Sequence, residues 1–548
     1  MTDTDEAPAY GMRCYHYGCP AKATLDEVAM TQLRMAHDLR NALVEVDLRH
    51  QDAVAAIWTN HPALAGATDE LAQAQALVHD VEARVLTERV ADRSTKPRAA
   101  TKVELAAARA RRTVARTALK EAKALHGDAL REQFSAAKSV RFDAVRVARV
   151  AAVDAGLFWT TANFVAAGHE TAVKKVATDR AAGKPAQLRF HRFDGTGTLT
   201  FQVQRGAGMP VPTPGLLSSG AGPWAKPVHL GLTSEPGSKW GTLRMRVRGT
   251  KHGDHHLEIP VAWHRPIPED AEIKEIKVSR RRIASHYRLS VSIVCRVAPV
   301  AQKTDGAVFT LSLGWSGQSD GDVRVARITG DLPALPPVPA AIAEMVHRVD
   351  GGLDVRALGR WRGVLERADR IRGVRDQSLD AIKARVVAAL IADPELAATL
   401  ECLATDVARW RAPRRFAQLA TRWPQNHSLA AELEVWRQRD KHLWEFEANE
   451  RDQVIGQRRE CYRVLSAWLC DAAALVVISG TDLAQLRRSE QMDAQGQGED
   501  ERTKRARALA QFASPGELRA TMLNAASGRG TQIMLAGGKE SSRQEAAA

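Results

Sequence analysis

The stretch "GAVFTLSLGWSGQSDGDVRVARI", residues 306–328, decides the fold of the C-terminal half of the chain. An apolar run ends at Gly-Trp, a polar turn follows, and a second run alternates between apolar and polar residues. Because successive side chains of a strand point to opposite faces, this pattern predicts two strands joined in a β-hairpin. Ser312 lies in the middle of the first strand, and Asp320 and Asp322 lie in the turn, where aspartate is common.

The segments after the hairpin predict helices and one further buried strand. The Pro-rich stretch "GDLPALPPVPAAI" leads into a very basic helix, and "WRAPRRFAQLATRW" and a long helix at about 433–474 follow. The long helix runs into "ALVVISGTDLAQL", an apolar run with a glycine turn and a helix start. A hairpin, helices and then a strand that ends in a turn are typical of an RNase H-like α/β domain with a helical insertion.

The N-terminal part of the chain, from about residue 25 to 152, has a helical pattern rich in Ala, Leu, Val, Arg and Glu. Breaks at "TNHPALAGATDE" and "STKPRAA" divide it into three or four long helices. In the first of these helices a continuous apolar stripe is formed by Leu33, Leu39, Leu43, Val46, Val54 and Ile57.

Positive charge is concentrated in residues 93–149. This segment holds fifteen Lys or Arg residues against five Asp or Glu residues, a net charge of +10, while the whole chain has +14. Five of its cations step by three or four residues and so share one helix face. Like charges at this spacing repel each other unless a polyanion neutralises them, so the pattern favours a phosphate-binding face over an ordinary solvated helix. The five are Arg109, Arg112, Arg116, Lys120 and Lys123.

From about residue 185 the pattern changes from helical to alternating. Short alternating runs, separated by loops rich in Gly and Pro, occupy 198–205, 241–248, 257–263, 273–279 and 286–297. They predict a small antiparallel β-barrel between the helical part and the hairpin. In "LRMRVR", Arg244, Arg246 and Arg248 share one strand face, which predicts either a nucleic-acid track or an exposed sheet face.

The composition favours a polyanionic partner. The 548 residues include 78 Lys and Arg against 64 Asp and Glu, an excess that suits nucleic acid first and an acidic membrane surface second.

No apolar run has membrane-spanning length, and the acidic start "MTDTDEAPAY" does not resemble a secretory signal, so a cytoplasmic protein is expected. No pair of the six cysteines has the two-residue spacing of a zinc ribbon, so a structural zinc site is not expected.

The predicted α/β domain lacks the carboxylates that metal-dependent cleavage of phosphodiesters needs. RNase H-like nucleases hold two Mg²⁺ ions with carboxylates on the first strand, at the end of the later strand and on a C-terminal helix. Here Ser312 stands in the first strand and Ser479 in the later one. A neutral hydroxyl cannot bridge two divalent ions, and Asp482 occupies a position typical of a helix cap. A bound Mg²⁺ and DNA cleavage are therefore not expected.

Six stretches of the sequence resemble one known family over nearly the whole chain. They are "QLRMAHDLRNALVEV", "AVKKVATDRAAGKPAQLRFHRFDGTGTLTFQVQR", "TLSLGW", "RAPRRFAQLATRW", "LWEFEANERDQVIGQRRECYRVLSAWL" and "SPGELRATMLNAA". These stretches are similar to the miniature type V CRISPR effectors of subtype V-M, which are related to transposon-encoded RNA-guided nucleases. The second and fourth stretches are the most specific.

The resemblance implies an α+β protein of several domains that binds a CRISPR guide RNA and double-stranded DNA. Members use the guide to open DNA beside a short T-rich motif and hold it uncut, which blocks transcription, and some trim their own precursor guide RNA. Their RuvC site, which is of RNase H type, is degenerate. The implied parts are a wedge segment (1–20), a helical recognition domain (21–184), a wedge β-barrel (185–302), a RuvC-like domain (303–535) and a disordered tail (536–548).

The C-terminus departs from the family pattern. Relatives carry a Cys-x-x-Cys zinc ribbon and a last strand and helix after residues 534–535, whereas this chain runs directly into "AGGKESSRQEAAA". The resemblance therefore implies either a naturally shortened RuvC-like domain, which a partner protein could complete, or a sequence that lacks the end of the natural chain. Two alternative functions stay open. One is a guide-processing ribonuclease or weak metal-dependent nuclease that uses carboxylates such as Asp482, and the other is a guide-independent RNA-binding scaffold.

Seventeen residues are predicted to contact nucleic acid. Seven are the five cations of the helix face together with Arg244 and Arg246. Arginine reads guanine and glutamine reads adenine, so residues at the start of the barrel are candidates for guide or adjacent-motif contacts, although the two glutamines also fit a solvent-facing strand. Residues of the basic helix and of "RAPRRFAQLATRW" are candidate walls of a nucleic-acid channel. These ten are Lys184, Arg189, Arg192, Gln202, Gln204, Arg360, Arg367, Arg370, Arg414 and Arg415.

Overall fold

The computed structural model describes residues 11–91, 99–182, 186–231, 240–298, 300–480 and 508–536. The chain divides into two compact units. One unit is Met12–Arg281 with Arg288–Arg296, and the other is Met1–Gly11 with Arg282–Tyr287 and Val297–Ala548. None of the helices in the described ranges combines the length and the apolar composition that crossing a bilayer requires.

Long helices dominate the first part of the chain, and four of them confirm the helical pattern predicted for residues 25–152. Most of the predicted break at "STKPRAA" lies outside the described residues. The helices are α1 (Glu27–Thr59), α2 (Pro62–Ala91), α3 (Ala99–His126), α4 (Arg131–Asp154) and α5 (Trp159–Ala181).

Helix α1 shows why the sequence folds as predicted here. It begins where the side chain of Asp26 accepts a hydrogen bond from the backbone N–H of Ala29 at 2.7 Å, which satisfies one of the free donors of the first turn. Leu33, Leu39 and Leu43 of the predicted stripe are buried. The burial of Leu39 and Leu43 against α4 and α5 supplies the apolar contact that stabilises a long helix in a globular unit.

The alternating runs form two separate sheets in the described residues, and these residues show no closed barrel. One sheet has four strands in the order β1-β7-β6-β2, and the other has three in the order β3-β4-β5. Each of the five predicted runs overlaps a strand. β1 lies within residues 1–20, which the resemblance assigned to the wedge, and β3 was not predicted. The strands are β1 (Gly11–Gly18), β2 (Gly197–Gln202), β3 (Val228–Gly231), β4 (Trp240–Arg248), β5 (His255–Ala262), β6 (Glu272–Ile283) and β7 (His286–Val297); a short helix α6 (Pro214–Ser218) precedes β3.

The hairpin predicted at residues 306–328 is present and forms the centre of a six-stranded sheet. The strand order is β10-β11-β9-β8-β12-β13. The first four strands pair antiparallel, and β12 runs parallel to both β8 and β13. The strands are β8 (Ala307–Gly317), β9 (Val323–Gly330), β10 (Val346–Val349), β11 (Gly352–Ala357), β12 (Ala473–Gly480) and β13 (Gln532–Leu535).

Helices cover one face of this sheet and form an insertion between β11 and β12. Phe309 and Leu311 of β8 are buried in one core with Leu469 and Leu518, which lie on helices α11 and α12. In the insertion, the rings of Phe416 and Trp436 meet edge to face at 5.0 Å in a second core. The helices are α7 (Gly359–Ala392), α8 (Pro394–Thr399), α9 (Ala404–Arg409), α10 (Pro413–Arg422), α11 (Ala430–Ala472) and α12 (Pro515–Ser527).

Candidate nucleic-acid interface

Two serines face each other at the centre of the six-stranded sheet. Strands β8 and β12 are parallel neighbours, and Ser312 and Ser479 are partners in their register. Their Oγ atoms lie 3.0 Å apart, within hydrogen-bond distance. Leu311 and Leu313 are buried while Ser312 is exposed, as the alternation of the strand dictates. The two residues that were expected in place of carboxylates therefore meet on the side of the sheet that faces away from its core.

Further polar side chains extend this pair into a row across the sheet. Ser312 lies opposite Arg327 of β9. Arg327 lies opposite Asp354 of β11, which lies opposite His347 of β10. Because directly opposed residues of antiparallel strands share a face, the whole row is on the side of the serines. The Nε–H of Arg327 donates to Oδ1 of Asp354 at 2.9 Å, and this carboxylate raises the pKa of Arg327.

The donor set of this row does not fit Mg²⁺. The serines are neutral, and Asp354 is only 4 % exposed and already bonded to a guanidinium. Asp320 accepts a hydrogen bond from Arg356 at 3.0 Å, and Asp322 accepts one from the first backbone N–H of α7 at 2.6 Å, so both turn aspartates have structural partners. Across the described ranges, no group of three or more His, Cys, Asp or Glu side chains is arranged to hold a metal ion. Asp482 lies outside the described residues.

The cationic face of α3 is only partly neutralised within the protein. Arg109 is paired with Glu82 of α2 at 3.0 Å. Lys123 lies over the ring of Trp58 with its Nζ 4.6 Å from the centroid, and burial lowers the pKa of Lys123. The remaining cations of the face have no ion-pair partner among the described residues. They are Arg112, Arg116 and Lys120.

The arginines of β4 share one face, as the alternation predicts. Met245 and Val247 are buried on the other face. However, Arg244 lies 3.3 Å from a carboxylate oxygen of Glu258, and Arg246 lies 2.7 Å from one of Asp254. These ion pairs favour the exposed sheet face over a free nucleic-acid track.

The segment before β2 is held in place by α1. His191 donates its backbone N–H to the side-chain oxygen of Asn41 at 3.0 Å, and its carbonyl accepts a hydrogen bond from the amide of Asn41 at 2.8 Å. The neighbouring side chains of Arg189 and Arg192 are exposed. Lys184 lies outside the described residues. Of the two predicted glutamines, Gln202 is half-buried in β2 and Gln204 is exposed just beyond it.

The basic helix α7 carries arginines in two different environments. Arg360 is exposed and contacts Glu344, Arg367 is exposed and lies 3.8 Å from Glu450, and Arg370 is exposed with no ion pair to any described residue. On helix α10, Arg414 is exposed, and the Cζ atom of Arg415 lies 4.2 Å from the centroid of the Trp410 ring.

Arg375, which lies in the same basic helix, is a buried structural residue. Its guanidinium bonds Asp440 at 2.8 Å and Glu447 at 2.9 Å, both on α11. Burial opposes the charge of Arg375, but the two carboxylates outweigh it and raise the pKa of this guanidinium. Arg375 therefore joins α7 to α11 and is removed from any surface that contacts nucleic acid.

Sequence reasoning missed Arg327, Asp354 and His347 as neighbours of the serines. The pairing of β8 with β9 shifts register between Leu313 and Ser316, so an alternating pattern counted from the turn loses its phase. A polar residue inside each of three successive strands is the signal that could have indicated the row, but the bulge hides which of them are opposed.

Comparison with known proteins decides the family. The chain is 32% identical over 553 residues to the CRISPR-associated DNA-binding protein Cas12m of Mycolicibacterium mucogenicum, which covers 96% of this chain and 90% of that protein. The chain belongs to the Cas12m family. It is also 30% identical over 533 residues to the Cas12m protein of Gordonia otitidis, with coverage of 90% and 85%. No protein-family model matches the chain.

Two solved structures of Cas12 type are similar to the chain at a low level. A chain of the cryo-EM structure of the Cas12f1–sgRNA–target DNA complex matches with a TM-score of 0.35 at 6% identity, covering 96% of this chain and 89% of that one. A chain of the AacC2c1–sgRNA–extended non-target DNA complex matches with a TM-score of 0.27 at 10% identity, covering 91% and 61%. Membership of the Cas12m family rests on the sequence relatives alone.

Proposed function

We propose that the chain binds a CRISPR guide RNA and, through it, double-stranded DNA, which it holds without cutting. Its relatives in Mycolicibacterium mucogenicum and Gordonia otitidis are named CRISPR-associated DNA-binding proteins, and sequence identity to them spans most of the chain. In guided effectors, base pairing reads the target sequence and the protein holds the heteroduplex by its backbone in a basic channel. The partners proposed here are therefore RNA and DNA.

The contact of Ser312 with Ser479 is the observation that carries the absence of cutting. In-line displacement at a phosphodiester with two metals needs carboxylates that bridge the ions and neutralise their charge. At the centre of this sheet the two facing groups are hydroxyls 3.0 Å apart, and the nearest buried carboxylate on the row is bonded to an arginine. This donor set supports a domain that contributes binding and no hydrolysis.

The distribution of elements supports a domain plan of Cas12 type. The mixed six-stranded sheet, with helices α7–α11 inserted between β11 and β12, supports a RuvC-like domain with a helical insertion. Helices α1–α5 supply the proposed recognition domain, and the two smaller antiparallel sheets supply the proposed wedge domain. The bounds of the five segments given above stay predictions, and so does a protein partner for the C-terminal part.

The free cations of α3 supply the proposed contact with a nucleic-acid backbone. Arg112, Arg116 and Lys120 form one exposed to half-buried face and have no ion pair with described residues. Neutralising phosphates with such side chains releases counterions, which gives binding that is strong and independent of sequence.

The proposal has three further parts. They are a short T-rich motif beside the target, a block of transcription and a cytoplasmic location.

The RNA that co-purifies with the protein tests guide binding. After expression together with its CRISPR array and purification under nuclease-free conditions, the protein is expected to carry RNA of uniform length with a repeat-derived end. Sequencing of the bound RNA provides the measurement. Absence of RNA, or RNA of random length and origin, would contradict guide binding and favour the scaffold alternative. The purified protein is also incubated with a precursor guide RNA. If the bound RNA is uniform but the protein alone does not cleave this precursor, the ribonuclease alternative is excluded.

A further inference from the structure

The polar row on the six-stranded sheet offers donors to an anion where nucleases of this fold type hold cations. The hydroxyl groups of Ser312 and Ser479 share one hydrogen bond, so one of the two O–H groups has no acceptor among the described residues and can donate outward. Arg327 uses its Nε–H on Asp354, and none of its four terminal N–H groups has a partner among the described residues. The row therefore has unused donors on two adjacent strands.

We propose that this row binds a phosphate of a nucleic-acid backbone directly, without a metal ion. Directly opposed residues of antiparallel strands have Cβ atoms about 5 Å apart, which lets one phosphate accept from Ser312 and from Arg327 through different oxygens. Guanidinium and phosphate match in geometry and form charge-assisted hydrogen bonds, which are stronger than neutral ones. The inference rests on the proposed function, since it assumes that nucleic acid reaches this sheet.

The burial of Asp354 makes the row suitable for an anion despite its carboxylate. Asp354 is 6 % exposed at its side chain, whereas Arg327 is 40 % exposed. A ligand that approaches from solvent meets the guanidinium first, and the carboxylate lies beneath it. With two carboxylates in place of the serines, the same position would repel phosphate unless Mg²⁺ were bound. With hydroxyl groups at these two positions, a phosphate can bind without Mg²⁺.

The alternative is that the row has only a structural role, with Arg327 and Asp354 fixing the register of β9 and β11. The test measures binding of short fluorescein-labelled oligothymidylate and, in a parallel arm, oligouridylate to the full-length protein in buffer with EDTA. The test variants are the double substitution Ser312→Ala with Ser479→Ala, and Arg327→Gln with Asp354→Asn, which keeps a neutral hydrogen-bonded pair. The matched control is Arg348→Gln, since Arg348 is an exposed arginine on edge strand β10 that lies off the row.

We expect each double variant to bind about tenfold more weakly than the parent in EDTA, as loss of hydrogen bonds to a charged group requires. The arginine variant should also lower the slope of log affinity against log salt by about 0.7, whereas the serine variant keeps the slope. The control should change affinity less than about twofold. Preference for one oligonucleotide identifies whether DNA or RNA is the source of the phosphate.

Two results would overturn the inference: parental affinity of the serine variant in EDTA, or binding by the parent that disappears in EDTA. Thermal melting checks the fold of each variant. The serine variant removes two hydroxyls from the side of the sheet away from the core, so it keeps the test valid if the arginine variant unfolds. Guide-dependent duplex binding by the parent is measured in parallel. If the parent does not bind the duplex in a guide-dependent way, the proposed function is contradicted. If it does, but the serine variant keeps the parental affinity for the oligonucleotides, only the phosphate site is contradicted.

Discussion

Reversing charge on the free face of α3 should weaken nucleic-acid binding in a salt-dependent way. Arg112 and Arg116 have no ion pair with described residues, so Arg112→Glu with Arg116→Glu breaks no such pair and should change the free energy of unfolding by less than about 1 kcal/mol. Each cation that neutralises a phosphate of B-form DNA contributes about 0.9 to the slope of log affinity against log salt, so the double variant should lower the slope by about 1.8. A fourfold increase in salt concentration should then reduce the ratio of parental affinity to variant affinity by about tenfold.

The assay is equilibrium binding of the protein, loaded in turn with two different guides, to the duplex that matches each guide at several salt concentrations. The loss should be similar for different target sequences, because phosphate contacts carry no sequence information. Arg111→Glu is the matched control for Arg116→Glu: Arg111 is also exposed, and the five-residue step places it about 140° around the helix. An unchanged slope in the double variant, or an equal loss in the Arg111 control, would refute the assignment of this face.

Three further substitutions test individual ion pairs of the protein. Arg375→Ala leaves the buried carboxylate of Asp440 without a cation among the described residues, whereas Glu447 keeps Arg451 at 3.2 Å. The substitution should lower the free energy of unfolding by about 3–5 kcal/mol in urea titrations, and a loss below about 1 kcal/mol would contradict the buried role. Burial raises the pKa of the Asp47 carboxyl, but hydrogen bonds from His169 and Arg141 outweigh it and hold this pKa below its usual range. The stabilising contribution of Asp47 is therefore fully present above the ordinary pKa of an aspartate, about 4, and is lost as pH falls through the lowered pKa. Asp47→Asn should reduce stability at pH 7 and flatten this acid dependence, which chemical denaturation at several pH values measures. Because Arg246 already contacts a carboxylate, Arg246→Gln should weaken DNA binding less than Arg116→Gln does, and the reverse order would favour a nucleic-acid track on β4.

Local patterns in the sequence predicted the elements that position the serine pair. Alternation around "TLSLGW" and the apolar run before Ser479 identified both strands, and the order of hairpin, helices and strand placed them in one sheet. The RNase H-like interpretation placed Ser312 and Ser479 at two ligand positions of one site, and the parallel pairing of β8 with β12 brings them together. The apolar stripe of α1 was predictable for the same reason, since a helical period of 3.6 residues identifies a buried face without further information.

Properties that depend on distant partners could not be predicted in this way. The burial of Arg375 depends on Asp440 and Glu447, which lie on another helix of the insertion and have no local signal in the basic stretch around it. The same holds for the carboxylates that neutralise Arg244 and Arg246. Closure of a barrel depends on which strand edges pair, and alternation gives the faces of strands but not their neighbours, so the two separate sheets were not predicted.

One measurement tests the central claim of guided binding without cutting. The protein loaded with guide RNA is incubated with Mg²⁺ and a matched duplex labelled on both strands, and each sample is split between a native gel and a denaturing gel. We predict a stable complex on the native gel that requires the matched guide, and full-length strands on the denaturing gel. A defined cleavage product that depends on Mg²⁺ and on the guide would contradict the account, and so would equal binding of an unmatched duplex.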